Sequence, residues 1–389
     1  MRIRIQKRGL VPAAVVAVVG TVVLYLGATA GLAAWHRQQQ DAAPPTGRGY
    51  LPGVIENAPS SLPTTGEYGP PGQVAAVYAG TDVDDGLRGS VDHPWITMSA
   101  TTGDYRALSE PGLPEAGPGV VQVSPDGGLI AWSGPDGLTV YDTATGDVDR
   151  PDVGPVDAVG PFADDAEHLV VHAAGAKVVD LARGEVVAEA EADAESVRGA
   201  AWRPDGTSLD LVTSTGHLVL GVDGTSETSP TSIPPGSQLA WAPQGDRLVD
   251  LHDVDGTFRL FVSDLRDDGA FGPERRVDTT GVALLHLFGF SGADTVAIDS
   301  YLLETGNIER VLDVPLGQGS TQDLTRLPSP GDNWVDVSTL SIATDLLPVG
   351  SYEWDSQVWP WSYTSRLAAC AIFMFFLFGL YVTRRPKKR

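Results

Sequence analysis

The chain has 389 residues, with 26 Lys and Arg against 50 Asp and Glu, a formal net charge of −24, and one Cys. A single Cys excludes an intrachain disulfide and any zinc or iron–sulfur site built from cysteines. The negative charge argues against nucleic acid as a partner, because phosphates would be repelled. At 42% hydrophobic and 20% charged residues, the composition is that of a folded chain rather than a disordered one.

The N-terminal region is basic and then apolar. Residues 1–37 carry five bases and no acid, and from Leu10 to Trp35 only Tyr25 has an ionisable side chain. As a helix these residues would extend roughly 39 Å, enough to cross a bilayer. We predict that residues 1–37 form an N-terminal transmembrane anchor. The alternative is a signal peptide cleaved near Ala28-Thr29-Ala30.

A region rich in Pro and Gly follows. Residues 41–72 contain seven Pro and six Gly and show no sustained apolar pattern. This composition is typical of an extended spacer. We predict a linker over residues 38–72.

A repeated pattern begins at about residue 73. Each unit opens on a bulky residue, continues with a short turn sequence such as Pro-Asp-Gly, and ends in a strand-like apolar run. The opening residues are 39, 40, 39 and 49 positions apart: Val123, Phe162, Trp202, Trp241 and Phe290. A period near 40 residues with four strand-sized segments is typical of β-propeller blades. We expect each turn to close a hairpin and each bulky residue to pack between neighbouring blades.

A second motif follows within the same units. It is a strand-like run that ends at a turn glycine, and it occurs at Leu138–Gly146, Lys177–Gly184, His217–Gly224 and Trp95–Gly103. We interpret each occurrence as an outer hairpin. Residues 331–350 contain further strand-like runs, at Trp334–Val337 and Leu340–Ala343.

Together the two motifs carry a family resemblance. Ser124-Pro-Asp-Gly127 with the following Ile-Ala-Trp, and then Val140-Tyr-Asp142 with Thr145-Gly146, resemble the TolB-like, WD-related propeller repeat. The resemblance covers roughly residues 74–350 and implies an all-β propeller. We predict a propeller of six to seven four-stranded blades over residues 73–350, flanked by transmembrane helices. Pairing of the first strand, Val74–Tyr78, into the last blade would close the ring.

The C-terminal region mirrors the N-terminal one. Residues 351–365 include Trp359, Trp361 and Tyr363, which we interpret as an aromatic juxtamembrane segment, and residues 366–383 as a transmembrane helix containing Cys370. Residues 384–389 form a basic tail. Because both ends are basic and all acids lie between residues 38 and 365, we predict a cell-membrane protein with both termini cytoplasmic and the propeller outside.

No catalytic signature stands out. His168 and His172 lie four apart in a predicted strand without a third zinc ligand, and we interpret them as strand residues. Gly289-Phe-Ser-Gly292 falls at a repeat turn, so we interpret it structurally rather than as a nucleophile elbow. Asp82–Gly86 and Asp253–Gly256 lack the distant Glu of a calcium loop and are typical of hairpin turns. We therefore predict no catalytic, cofactor-binding or metal-binding residues and no cofactor.

Three functions remain open. The first hypothesis is a bacterial, membrane-tethered binding or scaffolding module for protein partners at the cell envelope, held in the lipid bilayer by two spans. The alternative is a propeller hydrolase or lyase acting on envelope polymers, with Asp84, Asp85, Asp253 and Asp255 as candidate acids. A membrane sensor ranks third, because the predicted cytoplasmic ends are too short for a signalling domain. Carboxylates with raised pKa converging with a His or Arg in the channel would favour the enzyme, and an aliphatic channel would favour the binding module.

Overall fold

The computed structural model describes residues 49–55, 62–80, 83–84, 90–91, 94–115, 120–192, 196, 199–229, 233–266, 270–279, 282–302, 309–327 and 336–352. Within these residues the chain is almost entirely β. The helical segments are one α-helix of four residues, α1 (Thr65–Tyr68), and one 3-10 helix, Thr344–Val349.

Six four-stranded sheets form the body of the protein, and the strands are numbered in chain order. The chain begins with β1 (Leu51–Pro52), β2 (Val74–Ala79), β3 (Val83–Asp84), β4 (Ser90–Val91), β5 (Trp95–Ser99) and β6 (Tyr105–Ala107). Blade 2 has β7 (Val121–Val123), β8 (Leu129–Gly134), β9 (Gly137–Asp142) and β10 (Val148–Asp149). Blade 3 has β11 (Ala158–Phe162), β12 (His168–His172), β13 (Ala176–Asp180) and β14 (Glu185–Ala190).

The second half of the chain continues this order. Blade 4 has β15 (Ala200–Trp202), β16 (Ser208–Thr213), β17 (Gly216–Gly221) and β18 (Ser226–Thr228). Blade 5 has β19 (Gln238–Trp241), β20 (Arg247–Val254), β21 (Thr257–Asp264) and β22 (Arg275–Arg276). Blade 6 has β23 (Val282–Phe290), β24 (Thr295–Leu302), β25 (Glu309–Pro315) and β26 (Gln322–Arg326). The last strands are β27 (Asp336–Ile342) and β28 (Ser351–Tyr352).

The repeated turn joins the innermost strand of a blade to the second strand. In blade 2, Gly127 takes φ +75°, the left-handed conformation that glycine adopts without strain. In blade 3 the equivalent turn has no glycine, and Ala166 takes φ +57° instead. The predicted hairpins are therefore confirmed, including the one that lacks Pro-Asp-Gly.

The bulky residue before each turn packs between two blades, as predicted. Phe162 of blade 3 lies in one apolar cluster with Leu138 and Val140 of blade 2. Trp202 of blade 4 packs with Val170 and Val178 of blade 3, and its indole Nε1 donates to the carbonyl oxygen of Pro161 at 3.0 Å. Burial between adjacent sheets thus supplies the apolar core of the ring.

The innermost strands follow one another around a ring in the order β27, β7, β11, β15, β19, β23 and back to β27. This arrangement is a β-propeller, and the ring contains six blades, which settles the choice between six and seven. The remaining sheet is blade 1, which has the strand order β27-β2-β5-β6 and combines both ends of the described chain.

The pairing of β2 with β27 closes the ring. The strands are antiparallel, with Ala76 opposite Ile342 and Val77 opposite Ser341. The hydroxyl of Ser341 accepts from the backbone N–H of Val123 at 3.0 Å and donates to Gln122 Oε1 at 3.1 Å, which ties the closing strand to blade 2. The predicted pairing of Val74–Tyr78 at the closure is confirmed. One C-terminal strand joins three N-terminal ones.

The predicted linker is corrected for residues 49–55 and 62–72. Leu51, Ile55 and Leu62 are fully buried in an apolar cluster at the junction of blades 6 and 1, and β1 pairs with β28 in parallel. The buried guanidinium of Arg106 donates to the backbone carbonyls of Gly69, at 2.9 Å, and Pro70. These residues cover the place where the ring closes, because the apolar side chains there would otherwise face water.

The predicted location is also corrected. No helix in the described part of the chain is long and apolar enough to cross a membrane; the α-helix and the 3-10 helix there have four and six residues, against about 20 for a span. A two-span protein with both termini cytoplasmic and the propeller outside is therefore contradicted, and the flanking helices are not part of the described fold. The two apolar runs at residues 10–35 and 367–382, and Cys370, lie outside the described residues.

Candidate binding site: the central channel and its acidic mouth

The axis of the ring contains a cavity of about 220 Å³. Innermost strands of all six blades contribute to its wall. The lining side chains and backbone come mainly from Val121, Gln122, Val159, Gly160, Ala200, Gln238, Leu239, His286, Phe288, Thr339 and Ser341. The wall mixes apolar side chains with the polar side chains of Gln122, Gln238, His286, Thr339, Ser341 and Thr344, so the cavity suits an amphipathic group held by a few polar contacts.

Several polar residues of the wall already bind neighbouring strands. Gln238 donates through Nε2 to the carbonyl oxygen of Leu285 at 3.0 Å and accepts through Oε1 from the backbone N–H of Leu287 at 2.8 Å. Ser341 is engaged with Val123 and Gln122 as described above. These side chains fix the shape of the channel, because each of them both donates and accepts a hydrogen bond to a neighbouring blade.

His286 is the ionisable residue among those that line the cavity. Its Nδ1 lies 3.4 Å from Oδ2 of Asp299, and the imidazole is about one-third exposed whereas the carboxyl group is fully buried. Burial raises the pKa of Asp299, and the contact with His286 only partly offsets this. The other oxygen of Asp299 has no hydrogen-bond partner among the described residues. The channel thus offers one imidazole backed by one buried acid.

Three carboxyl groups meet at one mouth of the channel. Asp126 and Asp345 directly follow Pro125 and Thr344, which line the cavity, and the backbone N–H of Asp345 donates to the carbonyl oxygen of Pro125 at 3.0 Å. Burial raises the pKa of Asp345, and the nearby charges of Asp164 and Asp126 raise it further. Asp164 also has a raised pKa, because of burial and then of Asp165. The mouth beside blades 1 to 3 is therefore electronegative.

The corresponding turns of blades 5 and 6 carry paired charges instead. Arg247 of blade 5 contacts Asp246 at 3.5 Å and Asp294 of blade 6 at 2.5 Å. These contacts neutralise the acids in the turns of blades 5 and 6. In the turn of blade 4, Asp205 accepts from the backbone N–H groups of Thr207 and Ser208.

A separate polar cluster joins blades 4 and 5. The fully buried carboxylate of Asp210 accepts two bonds from Arg203, at 2.7 and 3.1 Å, and one from Trp241 Nε1 at 2.8 Å. It also lies 2.6 Å from Nε2 of the buried His217. Burial opposes ionisation of Asp210, but the contacts with His217 and Arg203 outweigh it and hold its pKa below the ordinary value. This cluster is inside the interface and serves the structure.

The histidines singled out in the sequence do not form a shared site. His168 lies 3.7 Å from Asp165, and His172 lies 3.5 Å from Asp157. Both belong to β12, so their interpretation as strand residues is confirmed. Ser291 donates to Asp313 and lies in the turn between β23 and β24, which confirms the structural interpretation of Gly289-Phe-Ser-Gly292.

Asp253 and Asp255, two of the acids proposed for an enzyme, are not among the residues that line the channel. Asp253 lies near the end of β20 and accepts from the N–H of Gly256 at 2.6 Å, and Asp255 lies in the turn between β20 and β21 with φ +55°. This turn is the hairpin predicted for Asp253–Gly256. Asp84 belongs to the short hairpin β3–β4, and Asp85 lies outside the described residues.

Comparison with known proteins gives similarity to solved structures only. No protein-family model matches the chain, and no curated protein matches it. The putative TolB of Agrobacterium tumefaciens is 14% identical, with 69% of this chain and 96% of that chain covered and a TM-score of 0.43. Hydrazine synthase of Kuenenia stuttgartiensis is 18% identical, with 56% and 68% covered and a TM-score of 0.40.

A third similar structure is the β-propeller domain of Cps50 (Swd1) from Myceliophteria thermophila, at 15% identity, with 58% of this chain and 74% of that chain covered and a TM-score of 0.37. None of these similarities carries an argument about function. The propeller fold of this chain rests on its own sheets and their order in the ring.

Proposed function

We propose that this protein is a non-enzymatic binding module that receives a basic segment of a partner protein at the acidic mouth of its channel. The observation that carries the proposal is the convergence of Asp126, Asp164 and Asp345 beside the opening of a cavity whose own lining contains no carboxylate among the described residues. A carboxyl group whose pKa is raised by neighbouring negative charges, as that of Asp345 is, gains free energy when a cation approaches. A Lys or Arg side chain entering the mouth supplies that cation, and its methylene groups suit the apolar side chains of the wall.

The wall of the cavity favours binding over hydrolysis. A hydrolase of polymers needs at least two groups that transfer protons or attack the substrate. No carboxylate is among the lining residues that the structure describes, and His286 has its acid partner behind it rather than across the cavity. A propeller hydrolase or lyase acting on envelope polymers therefore stays the weaker hypothesis.

Binding of defined peptides to the full chain tests the proposal. Fluorescence anisotropy would compare a Lys/Arg-rich peptide with a peptide of the same length in which each base is replaced by Glu. We expect the basic peptide to bind and its affinity to fall with added salt, since part of the interaction is charge attraction. The double variant Asp164→Asn/Asp345→Asn should bind about 5- to 30-fold more weakly, the equivalent of about 1–2 kcal/mol for two partly exposed charge pairs.

Asp223→Asn is the matched control. Asp223 lies at the turn between β17 and β18, in the outer part of blade 4, and carries the same charge. Its substitution should leave affinity for the basic peptide unchanged within about twofold. Equal binding of both peptides, equal weakening by Asp223→Asn, or hydrolysis of cell-wall polymers by the full chain would overturn the proposal.

A further inference from the structure

A mixed group of nitrogen and oxygen ligands lies in blade 5, away from the channel. Asp250, His252 and Glu274 each offer one ligand atom, and these three atoms lie within 4.8 Å of one another. His252 Nδ1 is 2.5 Å from Oδ2 of Asp250. Asp250 and His252 are more than nine-tenths buried, whereas Glu274 is exposed. The group is therefore fixed on its inner side and open to solvent on its outer side.

The strand geometry explains how these residues meet. Asp250 and His252 are two positions apart on β20, so their side chains point to the same face of the sheet. Glu274 lies two positions before Arg276, which is opposite Phe261 on β21, and Phe261 in turn is opposite Asp250. The chain returns through β21 and β22, and this brings Glu274, which is 24 positions away in the sequence, beside Asp250.

The imidazole is held in one orientation. The ring of His252 stacks on that of Phe261, with centroids 4.5 Å apart and an angle of 6° between the planes. Leu248, on the same face two positions before Asp250, packs against Ala201 and Val212 of blade 4. The two inner ligands are therefore preorganised by the blade 4–blade 5 interface, which lowers the entropic cost of placing them around an ion.

We propose that Asp250, His252 and Glu274 bind one divalent transition-metal ion, with Zn²⁺ as the best-suited ion. Imidazole nitrogen and carboxylate oxygen are both zinc ligands, at metal–ligand distances of about 2.0–2.2 Å. Neighbouring ligand atoms around a tetrahedral ion with such bonds are roughly 3.3–3.6 Å apart, so the 2.5 Å contact between His252 and Asp250 must widen by about 1 Å. Three protein ligands leave a fourth position for water or another molecule.

The charges of the group favour an ion of charge +2. With His252 neutral, the two carboxylates carry −2, which a divalent ion balances. Calcium and magnesium prefer sets made only of oxygen ligands, so the imidazole selects against them.

Titration of the metal-free full chain with ZnCl₂ in a calorimeter tests the proposal, with CaCl₂ and MgCl₂ in parallel. We expect one Zn²⁺ ion per chain that 1 mM Mg²⁺ or Ca²⁺ does not displace. Glu274→Gln keeps the size of an exposed side chain, so it should preserve the fold while weakening zinc binding at least about tenfold. Substitution with Co²⁺ should give visible absorption bands that are lost in His252→Asn.

Asp253→Asn is the control, because it removes a charge next to His252 from a carboxylate whose bond to Gly256 N–H holds a hairpin turn. It should change zinc affinity by less than about threefold. Absence of stoichiometric zinc binding, or unchanged zinc affinity in both Glu274→Gln and His252→Asn, would overturn the proposal. Loss of zinc affinity in Asp253→Asn equal to that in Glu274→Gln would also overturn it, since the effect would then be one of general charge.

Discussion

Replacement of Asp210 by Val tests how the blades are joined. Asp210 is fully buried, and it contacts Arg203, His217 and Trp241. Asp210 pairs with Ala201, the residue before Trp202. The residues at the equivalent position are Ala131 in blade 2 and Val249 in blade 5, each of which pairs with the residue before the bulky one. Valine therefore fits the strand, and the effect of the substitution measures the lost contacts rather than a clash.

The expected loss is about 3–5 kcal/mol in the free energy of unfolding, the range for removal of one partner from a buried ion pair. His217 contributes most of this loss, because its fully buried ring has no access to water. Arg203 contributes less, since its side chain is 31% exposed and can turn to solvent. Urea unfolding followed by tryptophan fluorescence gives the value, provided that the slope with denaturant is unchanged.

A triple variant separates lost contacts from poor packing. Arg203→Ser/Asp210→Val/His217→Leu places residues like those of blade 2, Ser124 and Leu138, around the new valine. Only the indole N–H of Trp241 then lacks its partner, so the loss should fall to about 1–3 kcal/mol. A loss below about 1 kcal/mol in Asp210→Val, or a triple variant as unstable as the single one, would refute this reasoning.

Two further predictions concern acid pH and a turn glycine. The pKa of Asp210 is lowered in the folded state, so its contribution to stability is present above its unfolded pKa of about 3.9 and is lost as the pH falls through the folded value. The difference in unfolding free energy between wild type and Asp210→Val should therefore shrink below about pH 4. A constant difference from pH 7 to pH 3 would contradict this. Gly127→Ala should lower the free energy of unfolding by at least about 3 kcal/mol, since the new Cβ would lie 2.1 Å from the carbonyl oxygen of Val74. Gly206 has a similar φ and open space around it, so Gly206→Ala should lower it by only about 1–2 kcal/mol. Equal losses in urea unfolding would contradict the close approach of Gly127 to Val74.

The sequence predicted the blades well where a repeat unit is continuous. The bulky residue, the turn and the second strand lie within about ten positions of one another, so local patterns locate blades 2 to 6. Blade 1 is different, because β27 comes from the other end of the chain, more than 250 residues from β2. Pairing over that distance leaves no local signal. The number of blades stayed open because the units that begin at Phe162 and Phe290 lack Pro-Asp-Gly.

Other features were missed for physical reasons of the same kind. Leu51, Ile55 and Leu62 are isolated apolar residues among prolines and glycines, so they gave no periodic pattern, although each is fully buried. The group at Asp250, His252 and Glu274 has no spacing motif in the sequence, because Glu274 joins the group only through strand pairing. Asp126 and Asp164 of the channel mouth lie in repeat turns and could have been found by placing those turns on one face of the ring, whereas Asp345 lies in the 3-10 helix that follows β27.

Closure of the ring by β2 and β27 is tested most directly by a disulfide across that pair. Ala76 and Ile342 are opposite each other, and directly opposite residues of antiparallel strands have Cα atoms about 4.5–5.5 Å apart, within the range for a disulfide. In a Cys370→Ser background, we expect Ala76→Cys/Ile342→Cys to form this crosslink on mild oxidation, as identified by peptide mass spectrometry. The control Ala76→Cys/Leu248→Cys, with its second cysteine in blade 5, should not. Absence of the first crosslink, or equal formation of both, would contradict the closed six-bladed ring.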